Sequence, residues 1–341
     1  MRAFLFFLLL SVLAGCAADL PMTAGDGGVS TGDDGGPPPP PPSGYVDPMC
    51  TDGRYAEAPL PDPSASLDGI TWSGEVGPVV DQALARRYPF GAEQVVAGRM
   101  NRDYGGDCDE LFAGSPASAG DLFRSLDTIV HECGHFHDGT LSDFSSNGYA
   151  LRSSVTVTCE RGDATGRGGD TFARSRIRDD AYQAMRPPCG SGGGECDFYA
   201  DTYLDGDPDD GSFDGGDQGF NMLLEETVQY VNSLATAYAF ADQLPAGRST
   251  SARDGILTFL WYVERYLKLA RETYPDAYAR ISGDACWRDL ILTVWGRAWL
   301  YLELTRDMSS LGIDDGILET LVADPALLDE IERLRTLSGC P

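Results

Sequence analysis

The chain has 341 residues, 53 acidic against 25 basic side chains, and a formal net charge of -28. That balance argues against nucleic acid as a partner and against adsorption to anionic lipid. Hydrophobic residues make up 42% of the chain, enough for a substantial core.

The chain opens MRAFLFFLLLSVLAGC. Arg2 supplies a positive start, and Ala3 to Leu13 is an apolar run too short to span a bilayer comfortably. Residues 1–15 therefore read as an export signal removed on maturation. The run closes on Leu13-Ala14-Gly15-Cys16, which resembles the lipobox of bacterial lipoproteins. The resemblance implies cleavage before Cys16 and lipidation of that residue. Ala17 follows it, and in a host with two membranes this favours the outer one. Residues 16–48 are rich in Gly, Asp and Pro, including six consecutive prolines from Pro37 to Pro42. They read as a disordered tether with a stiff polyproline spacer.

Residues 49–341 remain, by size one large domain or two intimate ones, and are taken together as one domain. Its eight cysteines, Cys50, Cys108, Cys133, Cys159, Cys189, Cys196, Cys286 and Cys340, form an even set. Outside the reducing cytosol that suggests four disulfides. Cys189 and Cys196 are spaced to close a small loop, and Cys340 is placed to pin the tail.

Val79 to Tyr88 reads as a helix stopped by Pro89. Asp121 to Asp138 reads as a second, capped by Asp121 and ended by Gly139. Leu122, Phe123, Leu126, Ile129, Val130 and Cys133 mark its apolar stripe. Ala150 to Thr158 alternates as a strand, Val155 and Val157 inward. Thr171 to Met185 is a further helical stretch. Long helices follow at Phe220 to Leu244, Ile256 to Tyr274 and Asp284 to Arg306, then Pro325 to Leu337. The fold class expected is α+β, mostly α, with a small sheet near the histidines and a helical C-terminal half.

All three histidines fall between residues 131 and 137. His131, Glu132 and His135 form H-E-x-x-H. On a helix the two histidines lie about 40° apart and one turn along, so both imidazoles reach one tetrahedral zinc. Glu132 lies beside them, placed to take a proton from a zinc-bound water as general base. His137 points to the other side of the helix. Cys133 faces away from the metal, as a core or disulfide residue.

The segment I129-V130-H131-E132-C133-G134-H135 looks like the active-site helix of zincin metallopeptidases. The resemblance implies a zincin-like catalytic core and a third protein ligand. Asp138 is too far along for the same ion but is placed to support a ligand. A metzincin pattern would need a glycine where Asp138 stands and a ligand where Leu141 stands; Gly139 and Asp143 offer only a distorted version. A gluzincin takes a glutamate from a later helix. N221-M222-L223-L224-E225-E226-T227-V228-Q229-Y230-V231-N232 looks like that helix. It implies Glu225 as zinc ligand and Tyr230 as the tyrosine, with Glu226 departing from the family's glycine. Glu226 and Asp143 stay open as alternative ligands. An oxyanion donor must be a tyrosine or arginine, Tyr230 first and Tyr149 second.

Glu195 to Asp217 carries nine acids and no base. Asp205, Asp207 and Asp209 begin a D-x-D-x-D pattern, but Asp210 and Gly216 break a full EF-hand. The expectation is a looser calcium site that orders the approach to the Glu225 helix, against a plain solvated loop. No G-x-S-x-G elbow and no Walker sequence occurs. The sequence therefore points to a lipid-anchored zinc metallopeptidase of gluzincin type. Its substrates would be peptides or proteins, with endopeptidase action favoured over exopeptidase. The rival expectation is a non-catalytic envelope lipoprotein on a zincin scaffold.

Overall fold

The computed structural model describes residues 45–101, 106–161, 167–185, 198–206 and 213–340. Prolines that read as stops prove to be starts. Pro89 opens helix α2 (Pro89–Met100), directly after α1 (Val76–Arg87). Pro275 likewise opens α9 (Pro275–Gly283), whereas Pro325 opens α12 (Pro325–Leu337) as expected. A first-turn amide has no helical acceptor, so a proline there forfeits nothing and its fixed φ suits the helix. The sequence reading missed α2 for this reason.

The expected Asp121–Asp138 helix is two helices. α3 (Cys108–Phe112) is followed by α4 (Ala119–Phe123) and α5 (Leu126–Leu141). Ser118, not Asp121, caps α4, accepting a bond from the Asp121 amide. Helix α5 passes Gly139 and ends at Leu141. The expected single strand is a hairpin. β1 (Ser146–Arg152) pairs antiparallel with β2 (Val155–Glu160), in a register running from Ser146 opposite Glu160 to Ala150 opposite Thr156. Ser154 turns the chain with φ of 64°. The alternation expected for Val155 to Thr158 holds within β2, the valines half-buried and the threonines exposed. Residues 174–179 and 183–185 form 3-10 turns rather than one α-helix.

The C-terminal half is helical, as expected. It contains α6 (Phe198–Tyr203), α7 (Phe220–Ala239), α8 (Ala252–Thr273), α10 (Ala285–Leu304) and α11 (Asp315–Val322). The chain is thus mostly α with one two-stranded sheet among the described residues. Helix α7 is the hub: it packs on α5, α8 and α10, while α5 also packs on α2 and β1. From Ala252 to Leu267 every residue of α8 is buried, Arg253, Asp254, Glu264 and Arg265 among them.

Three disulfides form among the described residues, Cys50–Cys340, Cys108–Cys133 and Cys159–Cys286. Cys340 does pin the tail, and Cys133 is a disulfide residue. Cys189 and Cys196 lie outside the described residues, as does Cys16. Disulfides persist in oxidising compartments, which fits an extracytoplasmic domain. No helix among the described residues is long and apolar enough to cross a membrane. Residues 45–48, given to the tether by composition, belong to the domain. Tyr45 stacks on Trp299 at 3.9 Å, and its carbonyl accepts from Arg335 at 2.8 Å.

Candidate metal centre

Helix α5 holds His131 and His135 one turn apart, with ring centroids 4.8 Å from each other. Helix α7 crosses it closely because residue 134 is glycine: a Cβ there would lie 1.9 Å from Gln229 Oε1. That close approach brings two adjacent acids of α7 to the imidazoles.

The two acids divide the work. Glu225 grips His135 Nδ1, both carboxylate oxygens at 2.7 Å. His131 Nδ1 meets Ser233 Oγ at 3.0 Å. With each Nδ1 engaged from behind, both rings turn Nε2 toward Glu226. The distances to Glu226 Oε2 are 3.7 Å from His131 and 3.4 Å from His135. A ring nitrogen fixed by a carboxylate directs the other as a ligand, the usual arrangement behind a metal-bound histidine. The structure therefore exchanges the two expected roles: Glu226 converges with the imidazoles and Glu225 orients one of them.

His131, His135 and Glu226 offer one ligand atom each, all within 4.8 Å of one another, and among the described residues they form a group able to hold a metal ion. Glu226 Oε2 is buried without a hydrogen-bond partner. An anionic oxygen in that position is costly unless a cation answers it. The donor set passes this test of fit. Burial resists ionisation of Glu226, but His135 and His131 outweigh it and hold the carboxyl far below the usual range. Burial likewise resists a charge on His135, yet Glu225 and Glu226 raise its pKa well above that of free imidazole.

Glu132 is half-buried and makes no hydrogen bond among the described residues. Its charge reaches the Tyr203 hydroxyl, whose pKa burial pushes far up, helped by Glu226. Tyr230 sets its ring edge against His131 at 4.7 Å and shares a 2.9 Å hydroxyl bond with Tyr203. Burial holds Tyr230 neutral as well, so the pair stays protonated and able to donate. Arg174 is 2% exposed and donates from Nε to the Tyr203 carbonyl at 2.7 Å, leaving Nη1 without a partner. Sequence reasoning missed Tyr203, Arg174 and Ser233. A signal existed for the last: Glu226, Tyr230 and Ser233 recur at i, i+4 and i+7, one face of α7.

The other expected residues are placed elsewhere. Asp138 accepts the Ala150 amide at 2.9 Å and Gln229 Nε2 at 2.8 Å, tying α5 to β1 and α7 rather than touching a histidine. Burial, aided by Glu225, raises its pKa well above the carboxylate norm. His137 points away, onto Gln94 at 2.6 Å. Asp143 is spent on Ser145 and Ser146, which hold its pKa down to about 2. Tyr149 is buried against Trp287. Asp205 is exposed beside Arg178, while Asp207 and Asp209 lie outside the described residues. Where the chain enters α7, Asp217 is held by Arg167 at 3.1 Å.

A cleft of about 370 Å³ opens beside His135 and Glu225, walled by Phe144, Tyr149, Arg161 and Met222. It meets the cluster on the Glu225 side, and Glu132 and Glu226 do not line it.

No family model, curated protein or solved structure matches this chain.

The chemistry of the centre stands on its own donors. A tetrahedral ion held by two imidazole nitrogens and one carboxylate would keep a fourth position for a small molecule. Glu132, without a hydrogen bond among the described residues, and the neutral Tyr203 and Tyr230 phenols would be a proton acceptor and donors beside such an ion.

Proposed function

We propose that this chain is a zinc-dependent peptidase, exported and anchored by lipid at Cys16. The observation that carries this reading is the turn of both Nε2 atoms toward the unpartnered Oε2 of Glu226. Glu132 follows His131 directly and makes no hydrogen bond among the described residues. His131, His135 and Glu226 would hold the ion; this donor set suits zinc better than calcium or magnesium, which prefer oxygens alone. When bound, zinc polarises a carbonyl and brings the pKa of water toward about 7.

The side chains do the rest. Glu132 accepts the proton released as water attacks the peptide carbonyl and returns it to the leaving amine. The Tyr203–Tyr230 pair, kept neutral by burial, offers hydrogen bonds to charge developing on the carbonyl oxygen. Glu225 holds the His135 ring and raises its basicity as a ligand. The disulfides fit an oxidising location, and the lipobox resemblance adds the anchor.

The test is metal content by mass spectrometry, followed by cleavage of a peptide library by wild type and Glu132→Gln. The reading predicts near-stoichiometric zinc in both proteins and a loss of about 10²-fold or more in turnover for the variant. Zinc without cleavage dependent on Glu132 would leave the non-catalytic lipoprotein as the better account.

A further inference from the structure

Resting on the peptidase reading, we propose that the cleft beside His135 is a substrate subsite that takes a carboxylate-bearing peptide segment, held by Arg161. Arg161 follows β2 and is fixed at both ends of its stem. Its amide donates to the Ser145 carbonyl at 2.7 Å, and its Nε donates to Asn147 Oδ1 at 2.9 Å. That leaves Nη1 and Nη2, the fork that matches a carboxylate, without a partner among the described residues. Most of the described arginines are engaged in ion pairs; this one is half-buried in a cleft wall and makes none among the described residues.

Among the described residues, none of the acids around it is paired with it. Glu225 is committed to His135 and Asp138 to Gln229 and the Ala150 amide. Asp143 keeps its charge, but Ser145 and Ser146 direct four hydrogen bonds to its Oδ1, and Arg161 makes no ion pair with it. Phe144, 89% exposed, and Met222 add apolar surface at the same cleft. The chemistry recognised is thus a carboxylate next to an apolar group. It has two sources in a peptide, an Asp or Glu side chain or the free C-terminus. The cleft reaches the centre only through His135 and Glu225, so the segment it holds lies beside the metal group rather than over Glu132 and Glu226.

The experiment measures binding by calorimetry to the Glu132→Gln protein, in which turnover is suppressed. Four matched hexapeptides serve as probes, Glu or Gln inside and acid or amide at the C-terminus. The expected result is that one carboxylate source tightens binding about 10- to 100-fold, the range of a charge-assisted bidentate contact. Adding Arg161→Gln should erase that difference and leave the all-neutral probe unchanged. Arg161→Lys should restore part of it and controls for folding. Equal binding of all four peptides, or a difference indifferent to Arg161→Gln, overturns the subsite. Dependence on Arg161 without any cleavage by wild type sustains the subsite and sinks the peptidase reading; cleavage without that dependence does the reverse.

Discussion

Gly134→Ala adds one methyl group at the crossing of α5 and α7. Its Cβ would lie 1.9 Å from Gln229 Oε1 and 2.7 Å from Cδ, so Gln229 must move. The side chain is fully buried and pinned at both ends: Nε2 donates to Asp138 Oδ2 at 2.8 Å, and Oε1 accepts from Asn232 at 2.8 Å. Overpacking costs about 1–3 kcal/mol. Each buried polar group left unmatched costs about 1–3 kcal/mol more. Alanine returns only about 1 kcal/mol in helix propensity. The net loss should be on the order of 3 kcal/mol, read from urea denaturation with an unchanged slope. Zinc affinity should fall too, because α7 carries Glu225 and Glu226. In a Gln229→Ala background the obstacle is gone, and the same substitution should cost nothing. A Gly134→Ala protein as stable as wild type, or equal costs in the two backgrounds, would refute the reasoning.

Glu226→Ala should abolish zinc binding, while Glu225→Ala should weaken it about 10- to 100-fold by freeing the His135 ring; competition with a chromogenic chelator separates them. Equal effects would undo the division of roles. Glu264 is fully buried with neither carboxylate oxygen bonded, and burial raises its pKa well above normal, with Asp324 and Glu330 adding to the shift. A carboxyl whose folded pKa exceeds its unfolded value binds more protons in the folded state, so stability falls as pH climbs from its unfolded pKa through the folded one. Glu264→Met should therefore raise the urea midpoint at pH 7 and flatten that slope. Asp143 titrates at about 2, below its unfolded value, so its contribution is complete above about pH 4 and lost as pH falls through 2. Ser145→Ala with Ser146→Ala should move its NMR midpoint upward. Cys340→Ser opens a bridge spanning 290 residues of sequence and should lower stability by about 2–5 kcal/mol, seen as a reduced melting temperature.

Some of this molecule is written locally. The i, i+4 spacing of His131 and His135 puts two imidazoles on one helical face whatever surrounds them. Helical periodicity marked α5, α7, α8, α10 and α12, because a stripe of apolar residues must be buried in any fold. An even set of cysteines indicated bridges, and three of them are formed among the described residues. Punctuation read less well: a proline ends one helix and begins the next with the same local chemistry, and only the path of the chain decides. The hairpin was hidden because β1 (SNGYALR) has no β-branched residue to mark it, and only β2 after the two-serine turn carries the alternation.

The third member of the metal group was a tertiary decision. Glu225 and Glu226 are neighbours in sequence, about 100° apart on α7, and both are chemically able to bind an ion. The roll of α7 against α5, set by the space above Gly134 and by Gln229 bound to Asp138, turns Glu226 toward both Nε2 atoms and Glu225 toward one Nδ1. A spacing in one helix fixes angles within that helix. The angle between two helices comes from side chains distant in sequence, and no local pattern encodes it.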